Sequence, residues 1–454
     1  MSIQQQLHYS IPRLGACLFA LAACSGAAHA DWGDLDLSYG SGGMAFVDIG
    51  SDTADSAFAA AADSAGNLYI AGGSTPSGSA TSGLAIAKLD ANGHAVGAFG
   101  AGGHVFSDLV PNLNDRATAM TVGADGSIYV AGIYPRSASS SDFFVAKLDS
   151  GGHFANGFGV GGVATIDVGS GSNDVAHAIA VDSSGHVYVA GVSNDGTGES
   201  AAIVKLDAGG QPMASFGGDG RVVLDLDWPT NADALAFDAQ GHLVVAGSLI
   251  DNDSAPYLVV KLDANGNFVS SFGDDGVALA ATAGGYEYCV GVALDGAGNI
   301  YVGGTVRIGT ETDFSAAKID ADGTPDGDFG DGGLAVVNLG FDLLHSANAM
   351  TMDREGHLLL GGFVNTGTDY QYAVAALDAD GSPAFDFGDN GQRVFHLGSA
   401  DFDVATALAI DPRTRGPLVV GYSTADSGTN HADFSVTRLQ AGPQPDPIYS
   451  SGFE

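Results

Sequence analysis

Residues 162–207 carry four short runs, GVATIDV (162–168), VAHAIAV (175–181), HVYVAGV (186–192) and AAIVKLD (201–207), separated by turn residues. Each run is rich in β-branched, aromatic or alanine side chains, which suits a strand, and each is too short for a typical helix. Between the second and third stands Asp182-Ser183-Ser184-Gly185, an Asp-to-Gly spacing that makes a tight hairpin. After the fourth come a second turn, KLDAGG (205–210), and the aromatic-glycine pair Phe216-Gly217. The stretch reads as one four-stranded antiparallel unit.

That unit recurs along the chain. An aromatic residue followed by glycine stands at Tyr39, Phe99, Phe158, Phe216, Phe272, Phe329 and Phe387, at spacings of 60, 59, 58, 56, 57 and 58 residues. The D-x-x-G turn returns at Asp63, Asp238, Asp295 and Asp353, and the second turn as KLDANG at 88–93 and 261–266 and KIDADG at 318–323. Helical periodicity is absent, and a period of this order marks a solenoid, propeller or array. Four-stranded units with two apolar faces must be sandwiched between neighbours, as propeller blades are.

Second-third-fourth sets begin near Asp55, Asp115, Asp174, Asn231, Glu287, His345 and Asp403. The expectation is therefore an all-β chain: a seven-bladed β-propeller over residues 43–440, preceded by a lead-in at 31–42. The first outer strand, from Met44 to Ile49, precedes any set, and the last set, ending FSVTRLQ at 434–440, has no outer strand after it. The N-terminal strand should complete the last blade and remove both exposed edges. A parallel β-helix is the alternative, but its coils are shorter and lack this hairpin punctuation.

Composition agrees with a folded, turn-rich chain. Of 454 residues, 69 are Gly and 14 Pro, against a long-helix protein, while 45% hydrophobic and 15% charged residues suit a packed interior. The 15 basic and 53 acidic side chains leave a net charge of −38, which repels nucleic acid and anionic lipid. A monomer with no nucleic-acid partner is expected.

At the amino terminus, Arg13 precedes the apolar run LGACLFALAAC (14–24), and Ala28-His29-Ala30 offers small residues at a cleavage spacing. Residues 1–30 read as a signal peptide, giving a secreted or periplasmic protein with no transmembrane segment. Leu21-Ala22-Ala23-Cys24 resembles a lipobox, so an outer-membrane lipoprotein lipidated on Cys24 is the competing reading. Either route leaves no internal disulfide, and Cys289 reads as a small buried hydrophobe. The tail, residues 441–454, has Pro443, Pro445 and Pro447 and reads as a flexible extension.

The repeats FGGDG (216–220), FGDDG (272–276), FGDGG (329–333) and FGDNG (387–391), each in register with a V-A-G or similar motif and a DFxxAKLDxxG-like run, resemble the delta-60 repeat. That repeat occurs in bacterial surface and secreted proteins and is similar in pattern to NHL-type propeller blades. The resemblance spans residues 36–440 and implies the propeller, but no activity. Tyr39 in place of Phe, Ala376 in place of Lys and Gln440 in place of Asp depart from the pattern.

Three features carry candidate chemistry. Lys88, Lys147, Lys205, Lys261 and Lys318, with Arg438 in the last unit, hold one repeat position and read as stems packed on the blade with their ammonium groups paired to aspartate. The turn aspartates could bind Ca2+, but Asp320-Ala321-Asp322-Gly323 and Asp378-Ala379-Asp380-Gly381 lack the Glu of a full calcium loop, so Asx turns are the simpler reading. Finally Asp55, Asp115, Asp174, Thr230, Glu287, His345 and Asp403 stand eight residues before the D-x-x-G position. They are expected either to converge at the mouth of the central channel, as ligands for a metal or cationic group, or to cap their own loops.

No nucleophile elbow, zinc motif or phosphate loop is present. The leading functional reading is an extracytoplasmic binding or scaffold protein recognising a protein or glycan through variable loops on one face (74–83, 134–143 and 423–434). The alternative is a calcium-dependent propeller hydrolase or lyase with its site at the channel mouth.

Overall fold

The computed structural model describes residues 31–442 apart from 51–52, 170–171, 197, 227, 250–254, 281–284, 341–343, 398–401 and 425–431. The leader-like segment with Cys24, the tail from Pro443 and most of the loop at 423–434 lie outside the described residues. Every regular element among those described is a strand. Among the described residues no helix is long and apolar enough to cross a membrane.

The strands group in antiparallel fours, in chain order. The fourth set is representative: Ala234–Phe237, Leu243–Ser248, Tyr257–Leu262 and Val277–Leu279 pair in that sequence from inner to outer edge. The second set (Arg116–Val122, Ile128–Ser137, Ser140–Leu148, Val163–Ile166) and the third (Asn173–Val181, Val187–Asn194, Glu199–Leu206, Arg221–Val223) touch through one parallel bridge, Asn173 to Ser141. The first strand, Met44–Val47, does not join the set that follows it. It lies antiparallel on Asp433–Arg438 at the far end of the chain, with Met44 opposite Thr437 and Val47 opposite Phe434.

The turns form because their aspartates satisfy backbone donors. Asp182 Oδ1 accepts the N–H groups of Ser184 and His186, both at 2.9 Å, and Asp63 Oδ1 does the same for Ala65 and Asn67 at 3.0 and 2.9 Å. These are Asx turns, closed by a glycine that tolerates the left-handed conformation. The aromatic-glycine turns tie one unit to the next. Gly40, Gly100, Gly159, Gly217, Gly273 and Gly330 each donate an N–H, at 2.7–2.9 Å, to a carbonyl in the second turn of the following unit. Gly388, in the sixth unit, donates at 2.8 Å to Trp32 O, so the lead-in supplies the acceptor that the last unit would otherwise lack. Trp32 also packs edge-on against Phe387, with centroids 5.2 Å apart.

Buried apolar residues form clusters that each span two successive sets. One joins Ala131, Val145 and Phe158 to Val187, Val189 and Val204; another joins Val47, Leu68 and Ile70 to Val420, Phe434 and Val436, from the two ends of the chain. The phenylalanines of the aromatic-glycine turns sit inside these seams, and burying each is worth about 2–3 kcal/mol.

The lysine column corrects one expectation. Its usual partner is a ring rather than an aspartate: Lys88, Lys147 and Lys205 stand 4.7, 4.9 and 4.9 Å from the ring centroids of Tyr69, Tyr129 and Tyr188. The cause is strand register, because each lysine lies directly across from that tyrosine on the neighbouring strand. Carboxylates are partners for Lys261, with Asp238 at 3.4 Å, and for Lys318, with Asp326 at 2.7 Å. Lys205 also donates to Ala264 O in the next unit at 2.9 Å. Arg438 makes the corresponding contact to Ala91 O, in the first unit, at 2.8 Å, while bonding Asp36 at 2.8 Å and Asp411 at 2.9 Å.

Candidate functional site: an axial cavity and its aromatic border

The residues expected at the channel mouth are buried, at most 2% exposed, and Asp55, Asp115, Asp174, Thr230 and Asp403 bond backbone donors beside them. Asp55 Oδ2 accepts the Ile49 N–H at 2.8 Å, Asp174 Oδ2 that of Val168 at 2.8 Å, and Asp403 Oδ2 that of Leu397 at 2.9 Å. The second oxygens of Asp174 and Asp403 take the hydroxyls of Ser193 and Ser423 at 2.6 and 2.5 Å. Asp115 holds the N–H groups of Leu84 and Val110 at 2.8 and 3.1 Å, and Thr230 Oγ1 holds that of Ala201 at 3.0 Å. Each of these side chains fastens the connection into its innermost strand by satisfying donors that would otherwise be buried unpaired.

Burial pushes the Asp115 carboxyl up to about 6 and raises those of Asp55 and Asp403. Glu287 and His345 occupy the same buried position in their units. Burial raises the Asp313 carboxyl, an effect opposed electrostatically by His345.

Among the described residues, two trios of carboxylates bring ligand oxygens within 4.8 Å of one another: Asp48, Asp55 and Asp433, and Asp142, Asp167 and Asp174. In the second trio Arg136 already engages Asp142 at 2.5 and 2.6 Å. Neither trio contains two of the residues expected to converge.

Convergence occurs three residues further along each unit. Phe58, Thr118, His177, Asp233, Val290, Asn348 and Thr406, one from each set, wall a cavity of about 470 Å³, completed by Arg116, Phe363, Val404 and Tyr422. The cause is a β-bulge. Strand register slips by one residue at Phe58, Thr118, His177, Val290, Asn348 and Thr406, which leaves that residue unpaired and re-aims its side chain.

The bulge needs the glycine of the V-A-G motif. A Cβ on Gly72 would lie 1.9 Å from Ser56 O, and one on Gly191 2.0 Å from Val175 O, so only glycine accommodates the displaced carbonyl. The sequence did hold a signal for this column, a variable residue between two small ones: AFA (57–59), ATA (117–119), AHA (176–178), ADA (232–234), CVG (289–291), ANA (347–349) and ATA (405–407).

Polar members of the column bond to the neighbouring set. Thr118 Oγ1 donates to Ala176 O at 2.6 Å, Asn348 Nδ2 to Ala405 O at 2.8 Å, and Thr406 Oγ1 to Ala57 O at 2.8 Å, from the last set to the first. His177 Nδ1 and Asp233 Oδ1 meet at 2.7 Å. Arg116 stands 5.4 Å from the Phe58 ring centroid. From Phe58 a border of rings runs through Tyr422, Phe402 and Tyr370 and returns to the cavity wall at Phe363, with successive centroids 6.5, 6.0, 5.1 and 5.3 Å apart. Among the described residues no Ser or Cys lines the cavity, and Cys289 is buried among apolar neighbours, where burial pushes its thiol up. The arrangement offers stacking surfaces, hydrogen-bonding groups and one imidazole–carboxylate pair.

No curated protein matches the sequence. Among solved structures the chain is similar to a protein of unknown function from Dyadobacter fermentans DSM 18053, at 12% identity and a TM-score of 0.42 over 87% of this chain and 98% of that one. It is similar to polysaccharide lyase Uly1, at 9% identity and a TM-score of 0.49 over 83% of this chain and 88% of that one. It is also similar to Sqt1 of Chaetomium thermophilum, at 14% identity and a TM-score of 0.40 over 83% of this chain and 81% of that one. A family model described as "Domain of unknown function (DUF5122) beta-propeller" matches residues 123–158 and 298–329, and with the four-stranded antiparallel sheets it makes the fold a β-propeller.

Proposed function

We propose that the chain is an exported, monomeric binding protein: a closed seven-bladed propeller, completed by its N-terminal strand, that seats a glycan over the axial cavity. Closure is supported by contacts that repeat from unit to unit and recur between the last and the first, as at Arg438 and Ala91 and at Thr406 and Ala57. Export rests on the leader-like residues 1–30, with lipidation of Cys24 as the alternative route.

The observation that carries the binding reading is the axial cavity with its border of rings. Aromatic faces stack on the apolar faces of sugar rings, while Thr118, Asn348 and the His177–Asp233 pair supply donors and acceptors for hydroxyl groups. The test is calorimetric titration with a panel of neutral and acidic hexasaccharides. A binder in the panel should lose at least tenfold in affinity with Phe58→Ala or Tyr422→Ala; a panel without a binder, or a binder indifferent to both changes, overturns the reading.

The His177–Asp233 pair favours one second reading, a hydrolase or lyase in which Asp233 orients His177 as a base. Calcium would then sit at a carboxylate trio such as Asp48, Asp55 and Asp433. Product formation from the same saccharides that disappears with His177→Ala would establish that reading. Its loss in chelator would add the metal.

A further inference from the structure

A second cavity, of about 900 Å³, lies at the outer rim and plays no part in the axial site. It opens where Asp225, Leu226 and Trp228, beyond the outer strand Arg221–Val223 of the third set, stand beside the outer strand Val277–Leu279 of the fourth. Gly323, Thr324 and Pro325, in the turn before the outer strand Leu334–Val337 of the next set, form another wall. That wall is fixed: Gly273 donates its N–H to Asp322 O at 2.7 Å, and a Cβ on Gly323 would lie 2.2 Å from Gly273 N.

The cavity presents large apolar side chains to solvent, with Trp228 46%, Phe268 40% and Leu279 43% exposed. Exposed apolar groups gathered in one concavity mark an interaction surface rather than ordinary scatter. The cavity also carries Asp225, Asp274 and Asp275, and among the described residues no cation is ion-paired to any of the three. An apolar floor with unpaired carboxylates around it selects an occupant that is apolar and cationic together.

We propose that this rim cavity docks an extended segment of a partner protein bearing alternating apolar and lysine or arginine side chains. The net charge of −38 steers such a segment inward. The same charge argues against a second copy of this chain. Its own lysine column offers no cationic strip, because Lys88, Lys205 and Lys261 are buried over the blade.

The test uses a synthetic heptapeptide alternating lysine with leucine, followed by calorimetry and tryptophan emission. The chain has two tryptophans, Trp32 being buried and Trp228 exposed in the cavity, so docking reads out as a saturable blue shift of Trp228. Binding should weaken about tenfold in an Asp274→Asn/Asp275→Asn double variant and about threefold in either single variant, and should fall in Leu279→Ser. It should be unaffected by Tyr422→Ala on the axis. The proposal is overturned by the absence of a saturable shift, by equal binding of a peptide with glutamate in place of lysine, by indifference to the aspartate changes, or by loss of binding in the axial variant.

Discussion

Asp115 spends both carboxylate oxygens on backbone donors, one in the strand at Leu84 and one in the connection at Val110, at the cost of burying a charge. Its folded-state value of about 6 lies above the ordinary 3.8. The fold's preference for the neutral carboxyl is fully present below pH about 4 and is lost as the pH rises through 6. A shift of this size amounts to about 3 kcal/mol. Asparagine cannot ionise, so the stability gap between the wild type and Asp115→Asn, from urea melts, should narrow by about 2 kcal/mol between pH 4 and 7; a gap independent of pH would refute this.

Arg438 is the other informative residue. Where five other units have lysine, its planar fork reaches Asp36, Asp411 and Ala91 O together. Lysine, a point charge, cannot hold all three, and Asp411 is 1% exposed. Arg438→Ala should cost about 3–5 kcal/mol by stranding that carboxylate, with Arg438→Lys in between, as read from thermal or chemical melts.

At the scale of the strand, the bulge decides which column faces the axis. The repeat, its turns and the four-strand order were legible because glycine, aspartate and aromatic positions recur at fixed offsets, and strand periodicity follows from side-chain alternation. The acidic column was legible as a column, but its direction was not. Alternation alone does not register an inserted residue, so Asp174 was weighed as an axial ligand while His177, three places on, reaches the cavity. Ser193 and Val168, the atoms that hold Asp174, lie in other strands or loops and enter only with the fold.

The bulge itself yields a prediction. Gly191→Ala would push a methyl into Val175 O, so it should destabilise the protein by about 1–3 kcal/mol and displace His177. Loss of saccharide affinity in a still-folded Gly191→Ala protein would connect the motif to the cavity, whereas unchanged melting would refute the clash.

At the scale of the molecule, 53 acidic against 15 basic side chains set a repulsive background on which every local contact acts. Salt screens it, since the Debye length falls from about 30 Å at 0.01 M to about 8 Å at 0.15 M. The melting temperature should therefore rise by several degrees over that range, and a flat or falling response would show that charge repulsion does not limit stability.

The pairing of Met44–Val47 with Asp433–Arg438 also fixes an order of events during synthesis. The strand Met44–Val47 finds its neighbour only when Asp433–Arg438, nearly 390 residues later, has emerged from the ribosome. Any chain released short of Arg438 keeps an unmated ribbon at one end and a raw edge at the other, both open to proteases. The architecture thereby inspects its own assembly: only a chain that reaches Arg438 can mate the strand Met44–Val47.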